Sequence, residues 1–162
     1  MKVFTILILV LISIPNLIAQ EEIRTDDYGL RWHLDFEKAQ ALSKEEKKPM
    51  LIYFTGSDWC GACILLEKKF FSTKQFKKIS QHFILIEFDF IKDTFDEDFV
   101  MAHIDEWRPK FDIKEKYNVT AFPTTILLDN KGNVNGRIIG YLGDKSKKKY
   151  LNVLNAILDA SF

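Results

Sequence analysis

Short apolar runs alternate with longer amphipathic stretches along the chain, and the two periods divide it into elements. The segment RWHLDFEKAQALSKEEKKP carries Phe36, Ala39 and Leu42 at helical spacing, with Asp35 placed to cap the first turn and Pro49 to end the run. MLIYF, from Met50, is continuously apolar and of strand length, the pattern of a central strand buried on both faces. TGSDW is a loop. From Cys60 the pattern turns helical through Leu65, Leu66, Lys69 and Phe70, and Ser72 or Thr73 caps a further segment, KQFKKIS. HFILIEFDF is the next strand. Residues 92–117 begin acidic and become helical, with Pro109 as a kink or a helix start. TTILLD and GRIIGYL flank the turn NKGN as a hairpin, and KSKKKYLNVLNAIL is an amphipathic helix with Tyr150, Leu151, Leu154 and Leu158 inward and its lysines in solvent.

The order helix, strand, helix, strand, helix, strand, strand, helix predicts an α/β domain. Strands separated by helices pair in parallel, and the closing hairpin adds an antiparallel edge. A length of 162 residues suits one domain. Two leading stretches stand apart from it. MKVFTILILVLISIPNLIAQ has a basic start, an apolar middle, a breaker pair and a small residue, Ala19, before the charged EEIR. This predicts a signal peptide over 1–19, cleaved after Ala19. Its apolar run is shorter than the ~20 residues a spanning helix wants, so a leader is preferred to an uncleaved membrane anchor. Residues 20–31 are polar and predict a flexible arm, leaving 32–162 as the domain. A leader places the mature chain outside the cytoplasm, where disulfides are permitted.

Composition and charge change this picture little. Fourteen phenylalanines favour a packed core over disorder. The 23 basic and 23 acidic residues balance, and losing Lys2 with the leader leaves 22 against 23. That is not the basic footprint of a nucleic-acid binder.

The chemistry concentrates in YFTGSDWCGAC, from Tyr53 to Cys63, which holds both cysteines of the chain. A bridge between Cys60 and Cys63 closes too small a loop to restrict the unfolded chain much, so it is a poor structural staple. A redox couple, half of a metal site, or two neighbouring core thiols remain. Zinc needs about four ligands, and His33, His82 and His103 are scattered, reading as surface or capping residues; no metal is expected. At the first turn of a helix, Cys60 would face unpaired N–H groups and the positive end of the dipole, both of which favour thiolate. Cys63, three residues on, can reach back to attack a mixed disulfide at Cys60. Gly61 and Ala62 leave room for a visiting backbone. Asp58 reads as a loop residue beside the helix start. The NVT at Asn118 matches a glycosylation acceptor, but a glycan there would obstruct docking at the following loop, so the match is set aside as chance.

WCGAC, followed some sixty residues later by VTAFPTTILLD, resembles the thioredoxin superfamily from about Met50 to the C-terminus. The resemblance extends to its secreted members and to the C-terminal domain of the DsbD family, which shares the pattern DWCxAC…E. It implies a thioredoxin-like three-layer fold: a mixed central sheet with parallel core strands and a C-terminal antiparallel hairpin, and helices on both faces. It implies Cys60 as nucleophile, Cys63 as resolving cysteine, Trp59 as flanking aromatic and Pro123 as a cis-proline facing the CxxC. The Phe122 backbone could then pair with an extended substrate segment. No cofactor is implied.

Where thioredoxin keeps a buried aspartate in the strand before its CxxC, this chain has Tyr53. Glu67 lies seven residues beyond Cys60 and four beyond Cys63, close to one helix face at ~100° per residue, and DsbD-like domains carry a glutamate at this spacing. Two readings stand: a partly buried carboxylate that shuttles the Cys63 proton, or a surface glutamate paired with Lys68 or Lys69. The functional expectation is an exported, monomeric thiol–disulfide oxidoreductase acting on cysteines of other proteins. Kinship with DsbD points to reduction, which requires a redox partner as electron donor. The competing class is a non-catalytic binding module for cysteine-bearing clients, which has no need of a second thiol.

Overall fold

A computed structural model describes residues 22–92 and 97–160. The leader expected over 1–19 lies outside the described residues. No helix among those described is long and apolar enough to cross a membrane.

The elements run β1 (Ile23–Thr25), β2 (Arg31–His33), α1 (Phe36–Glu46), β3 (Met50–Thr55), α2 (Gly61–Leu66) continuing into a π-helical turn (Glu67–Phe71), α3 (Lys74–Ser80), β4 (Ile84–Asp89), α4 (Glu97–Ala102), α5 (Ile104–Lys116), β5 (Thr124–Leu128), β6 (Val134–Ile139) and α6 (Asp144–Ala160). The strands form one sheet in the order β1-β2-β4-β3-β5-β6. β3 and β4 are parallel, with Tyr53 opposite Glu87 and Phe54 opposite Phe88. β5 and β6 continue the sheet antiparallel, with Phe54 of β3 opposite Thr124. The α/β class, the parallel central pair and the closing hairpin are therefore as the pattern predicts.

β3 is buried at every position because both of its faces are covered. Side chains of a strand alternate between faces. Leu51 and Tyr53, with Leu85 and Leu127, meet Leu66, Phe70, Phe71, Phe76, Tyr150 and Leu154 from α2 through α3 and from α6. Met50, Ile52 and Phe54, with Ile86, Phe88 and Ile126, meet Phe36 and Ala39 of α1 and Trp107 and Ile113 of α5. Helices thus lie on both sides.

Caps decide where the helices begin. Asp35 accepts from Lys38 N at 3.0 Å at the start of α1, and Lys47 in the left-handed region (φ 54°) ends it before Pro49. Thr73, one of the two candidates, caps α3 by accepting from Phe76 N at 3.2 Å.

Three elements differ from expectation, and one expectation with two alternatives is narrowed. The segment 20–31, expected as a flexible arm, carries β1, which pairs antiparallel with β2 through Ile23–His33 and Thr25–Arg31. Three-residue strands are too short to show a period, and these are held by Trp32, buried in the core, and by Asp26, which accepts from Trp32 Nε1 at 2.9 Å. His33, in β2, is buried rather than superficial. Of the two readings of Pro109, the helix start falls away: it stands inside α5, where it forgoes one backbone bond while Trp107 and Ile113 hold the helix on either side of it. In α6 the inward stripe is Tyr150, Leu154 and Ile157, with Leu151 and Leu158 only partly covered.

Candidate active site: a CxxC bridge over a buried polar cluster

The end of β3 turns sharply into the cysteines. Gly56 must be glycine: a Cβ there would lie 2.4 Å from the Trp59 indole, which folds back over it. Four contacts staple this loop to the end of β4. Asp89 accepts from Ser57 N at 2.9 Å and from its hydroxyl at 2.5 Å. Asp58 accepts from Lys92 N, and Trp59 Nε1 donates to Phe90 O at 2.7 Å. Asp58 is therefore a loop fastener.

Cys60 occupies the N-cap itself, one position earlier than the first turn expected for it. Its sulfur accepts from Cys63 N at 3.2 Å, so a helix-start N–H points at this sulfur. The two cysteines are joined, with S–S 2.10 Å and Cα atoms 5.2 Å apart. Cys60 keeps 6% of its surface exposed and Cys63 none, so only Cys60 can meet an incoming disulfide. Gly61 is exposed, and a Cβ there would touch nothing. Its smallness serves no internal packing, which leaves open space for a visitor.

The chain crosses the same end of the sheet again before β5. Because β5 runs antiparallel to β3, its first residues sit beside the last of β3, where the CxxC loop begins. There the Phe122–Pro123 bond is cis. The Phe122 ring meets Trp59 edge-on at 5.7 Å and stacks on Phe90 at 5.3 Å. Pro123 is buried, and its carbonyl accepts from Gly140 N at 2.7 Å, which brings the 140–143 loop to the same place. The structure thus brings Trp59, Cys60, Gly61, Ala62, Cys63, Phe122 and Pro123 together at one end of the sheet.

Glu67 opens the π-helical turn, one turn beyond Cys63. Its partner is the phenol of Tyr53, whose hydroxyl donates to Glu67 Oε1 at 3.0 Å and lies 3.5 Å from the Cys63 carbonyl. Burial raises the pKa of this carboxyl, while the Tyr53 hydrogen bond and the charge of Arg24 pull the other way. Tyr53 itself is pushed upward by burial and by the negative charge of Glu67, so it stays a donor. Beside Tyr53 in register sits Glu87, 4% exposed, clamped by Arg24 through Nε to Oε2 at 2.6 Å and Nη2 to Oε1. Burial, against the pull of Arg24, moves Glu87 up to about 7.

Reasoning from the sequence alone does not find Arg24 or Glu87 as parts of this cluster. Glu87 carried a signal, as the charged residue inside the apolar run HFILIEFDF; Arg24 carried none, because β1 is invisible as a period.

Fold and site together define a thioredoxin-like protein with a CxxC centre. Residues 36–156 match the family model of the thioredoxin-like domain, and the chain belongs to that family. It is 31% identical over 133 residues to the thioredoxin-related protein DsbJ of Chlamydia pneumoniae, covering 81% of this chain and 35% of that protein. It is 29% identical over 105 residues to the disulfide bond reductase DsbH of the same organism, covering 64% of this chain and 59% of that protein. The chain thus spans less than two thirds of either relative. A solved DsbH oxidoreductase superposes with TM-score 0.62 at 27% identity, covering 78% of this chain and 85% of that one. The resemblance to the thioredoxin superfamily and to its Dsb members is borne out.

Proposed function

We propose that this chain is an extracytoplasmic thiol–disulfide oxidoreductase that reduces disulfides in other proteins. The observation that carries the reading is the asymmetry of the pair: a nucleophile with a little exposed surface at a helix N-cap, and a partner with none one turn behind it. In the reduced form the Cys60 thiolate, favoured by the N–H groups at the start of α2, attacks a client disulfide. A Cys60–client bond forms, the client S–S bond breaks, and one client thiolate leaves. Cys63 then gives up its proton and attacks Cys60. The Cys60–Cys63 bond closes, the second client thiolate leaves, and two electrons have passed to the client. The bridged state in the structure is the end point of that sequence. A dithiol protein of lower potential must return it to the start.

Glu67 is the group proposed to take the Cys63 proton, since its carboxylate lies against Tyr53 within a turn of Cys63. Trp59, 44% exposed, and Leu142, 87% exposed beside the Gly140–Pro123 contact, offer apolar surface to the client, and Phe122 a backbone edge for it. Two things support the direction and place: the reductase name borne by the similar DsbH, and the basic–apolar–small order of residues 1–19.

The reduction potential of the Cys60–Cys63 couple tests the reading. A value near the about −270 mV of a thioredoxin supports reduction, and one near the about −120 mV of a strong oxidant overturns the direction. Cys63→Ser should accumulate mixed disulfides with clients, visible on non-reducing gels; absence of any such species removes the enzyme. The N-terminal mass of the exported protein checks cleavage after Ala19.

A further inference from the structure

The cluster under the CxxC contains one more polar side chain in contact with Glu67. Tyr53 has no exposed surface and stands on β3 where the superfamily resemblance leads one to look for an acid. A phenol in that place can neither take a proton from Cys63 nor carry a negative charge. It can donate, and the two oxygens it faces are Glu67 Oε1 at 3.0 Å and the Cys63 carbonyl at 3.5 Å.

We infer that Tyr53 is a positioning residue of the redox centre: its hydroxyl holds the Glu67 carboxylate beside Cys63, in the ionised form that can accept the resolving thiol's proton. This rests on the reading of the chain as an oxidoreductase. The work of one buried acid is divided here between two elements, with the charge on the π-helical turn and the anchor on the strand beneath. A π turn is a common device at functional sites, because the wider turn re-aims side chains; this one begins at Glu67.

The anchor itself is rigid. Tyr53 packs edge-on against Phe71 at 5.0 Å and tilted against Trp32 at 5.7 Å, and these buried rings restrain its own. The charges around Glu67 come from several elements: Arg24 of β1, Asp26 just after it, Glu87 and Asp89 of β4, and Lys68 and Lys69 on its own turn. Arg24 favours the carboxylate, whereas Asp26 and Asp89 disfavour it. Tyr53 is the neutral contact that favours ionisation, and it does so without adding a charge the client must accommodate.

In the resolving step the Cys63 S–H proton passes to the Glu67 carboxylate. The Cys63 sulfur attacks Cys60, the Cys60–Cys63 bond forms and the Cys60–client bond breaks. The client thiolate leaves and is protonated from solvent. Without the Tyr53 hydrogen bond, Glu67 holds its own proton to higher pH and the base is absent under mildly acidic conditions.

The test is Tyr53→Phe, which keeps the ring and removes one oxygen. The reaction is read by Trp fluorescence as the first-order limit reached at saturating model peptide disulfide, across pH. The acid limb should move up by about one pH unit, a ~tenfold loss of rate below the midpoint, with the alkaline plateau unchanged. Tyr53→Phe placed in Glu67→Gln should add no further shift. Independently, the ¹³C carboxyl signal of Glu67 should titrate at higher pH in Tyr53→Phe than in the parent. A parent protein that exchanges disulfides while Tyr53→Phe leaves both midpoints in place, or slows the reaction equally at all pH, overturns this inference and leaves the proposed function standing. A parent that exchanges none overturns the proposed function, and this inference with it.

Discussion

On one side of the central sheet, Met50, Ile52 and Phe54 of β3 meet α1 and α5 in a core built of apolar side chains. On the other side the same strand presents Leu51 and Tyr53, and there the packing of Leu66, Phe70 and Phe71 gives way to Tyr53–Glu67 and Arg24–Glu87. The two faces are buried alike, yet among the described residues only the one beneath the CxxC takes in the Glu67 and Glu87 carboxylates. Burying a charged group is costly unless it is paired, and each of these is: one by a guanidinium, the other by a phenol. Both faces bury a large apolar cluster, and the first is built of apolar side chains. The second accepts groups whose ionisation is shifted, and shifted groups are what proton transfer at a thiol needs.

The largest expected effect is on the apolar face. Phe54→Ala should cost about 3–5 kcal/mol of stability in urea unfolding, while the pH profile of disulfide exchange in the folded protein keeps its shape. A displaced profile would show that the two faces are not independent.

Next comes Glu87 on the polar face. Its folded pKa of about 7 lies above its unfolded value of 4.5, so between those pH values the folded state binds more protons than the unfolded state. Stability from this group is fully present below about pH 4.5 and is lost as pH rises through about 7, by at most about 3 kcal/mol. Thermal unfolding measured from pH 4.5 to 7.5 should show that decline, and Glu87→Gln should flatten it. An identical slope in the variant assigns the decline to another group.

The smallest effect belongs to the cap of α1. Asp35→Ala removes the acceptor for Lys38 N and should cost about 1 kcal/mol in the same unfolding assay, with exchange rates unaltered at any pH. A change in rate would mean that α1 communicates with the CxxC through the sheet.

Much of the framework was legible because it rests on local rules. MLIYF is a doubly buried strand by composition, Asp35 is a cap by chemistry and spacing, a second cap is narrowed to Ser72 or Thr73, and the CxxC announces itself. The two N-terminal strands were not legible, since β1 and β2 are three residues each and depend on Trp32 and Asp26 finding each other. Glu67 was legible as a candidate from its spacing to Cys63, but both of its readings survived, because spacing says which way a side chain leaves a helix and not what waits there.

What the amino-acid order settled by itself is the chemistry on offer: two thiols one turn apart, a strand before them, a proline to follow and a carboxylate on their face. Only the tertiary structure decided which thiol meets solvent, that the Glu67 partner is Tyr53 and not a lysine, and that a strand from the N-terminal segment supplies the charge balancing Glu87. The reason is physical. Helical and strand periods act over a few neighbouring residues, whereas burial and pKa depend on groups that the fold brings together from 14 and 63 residues away.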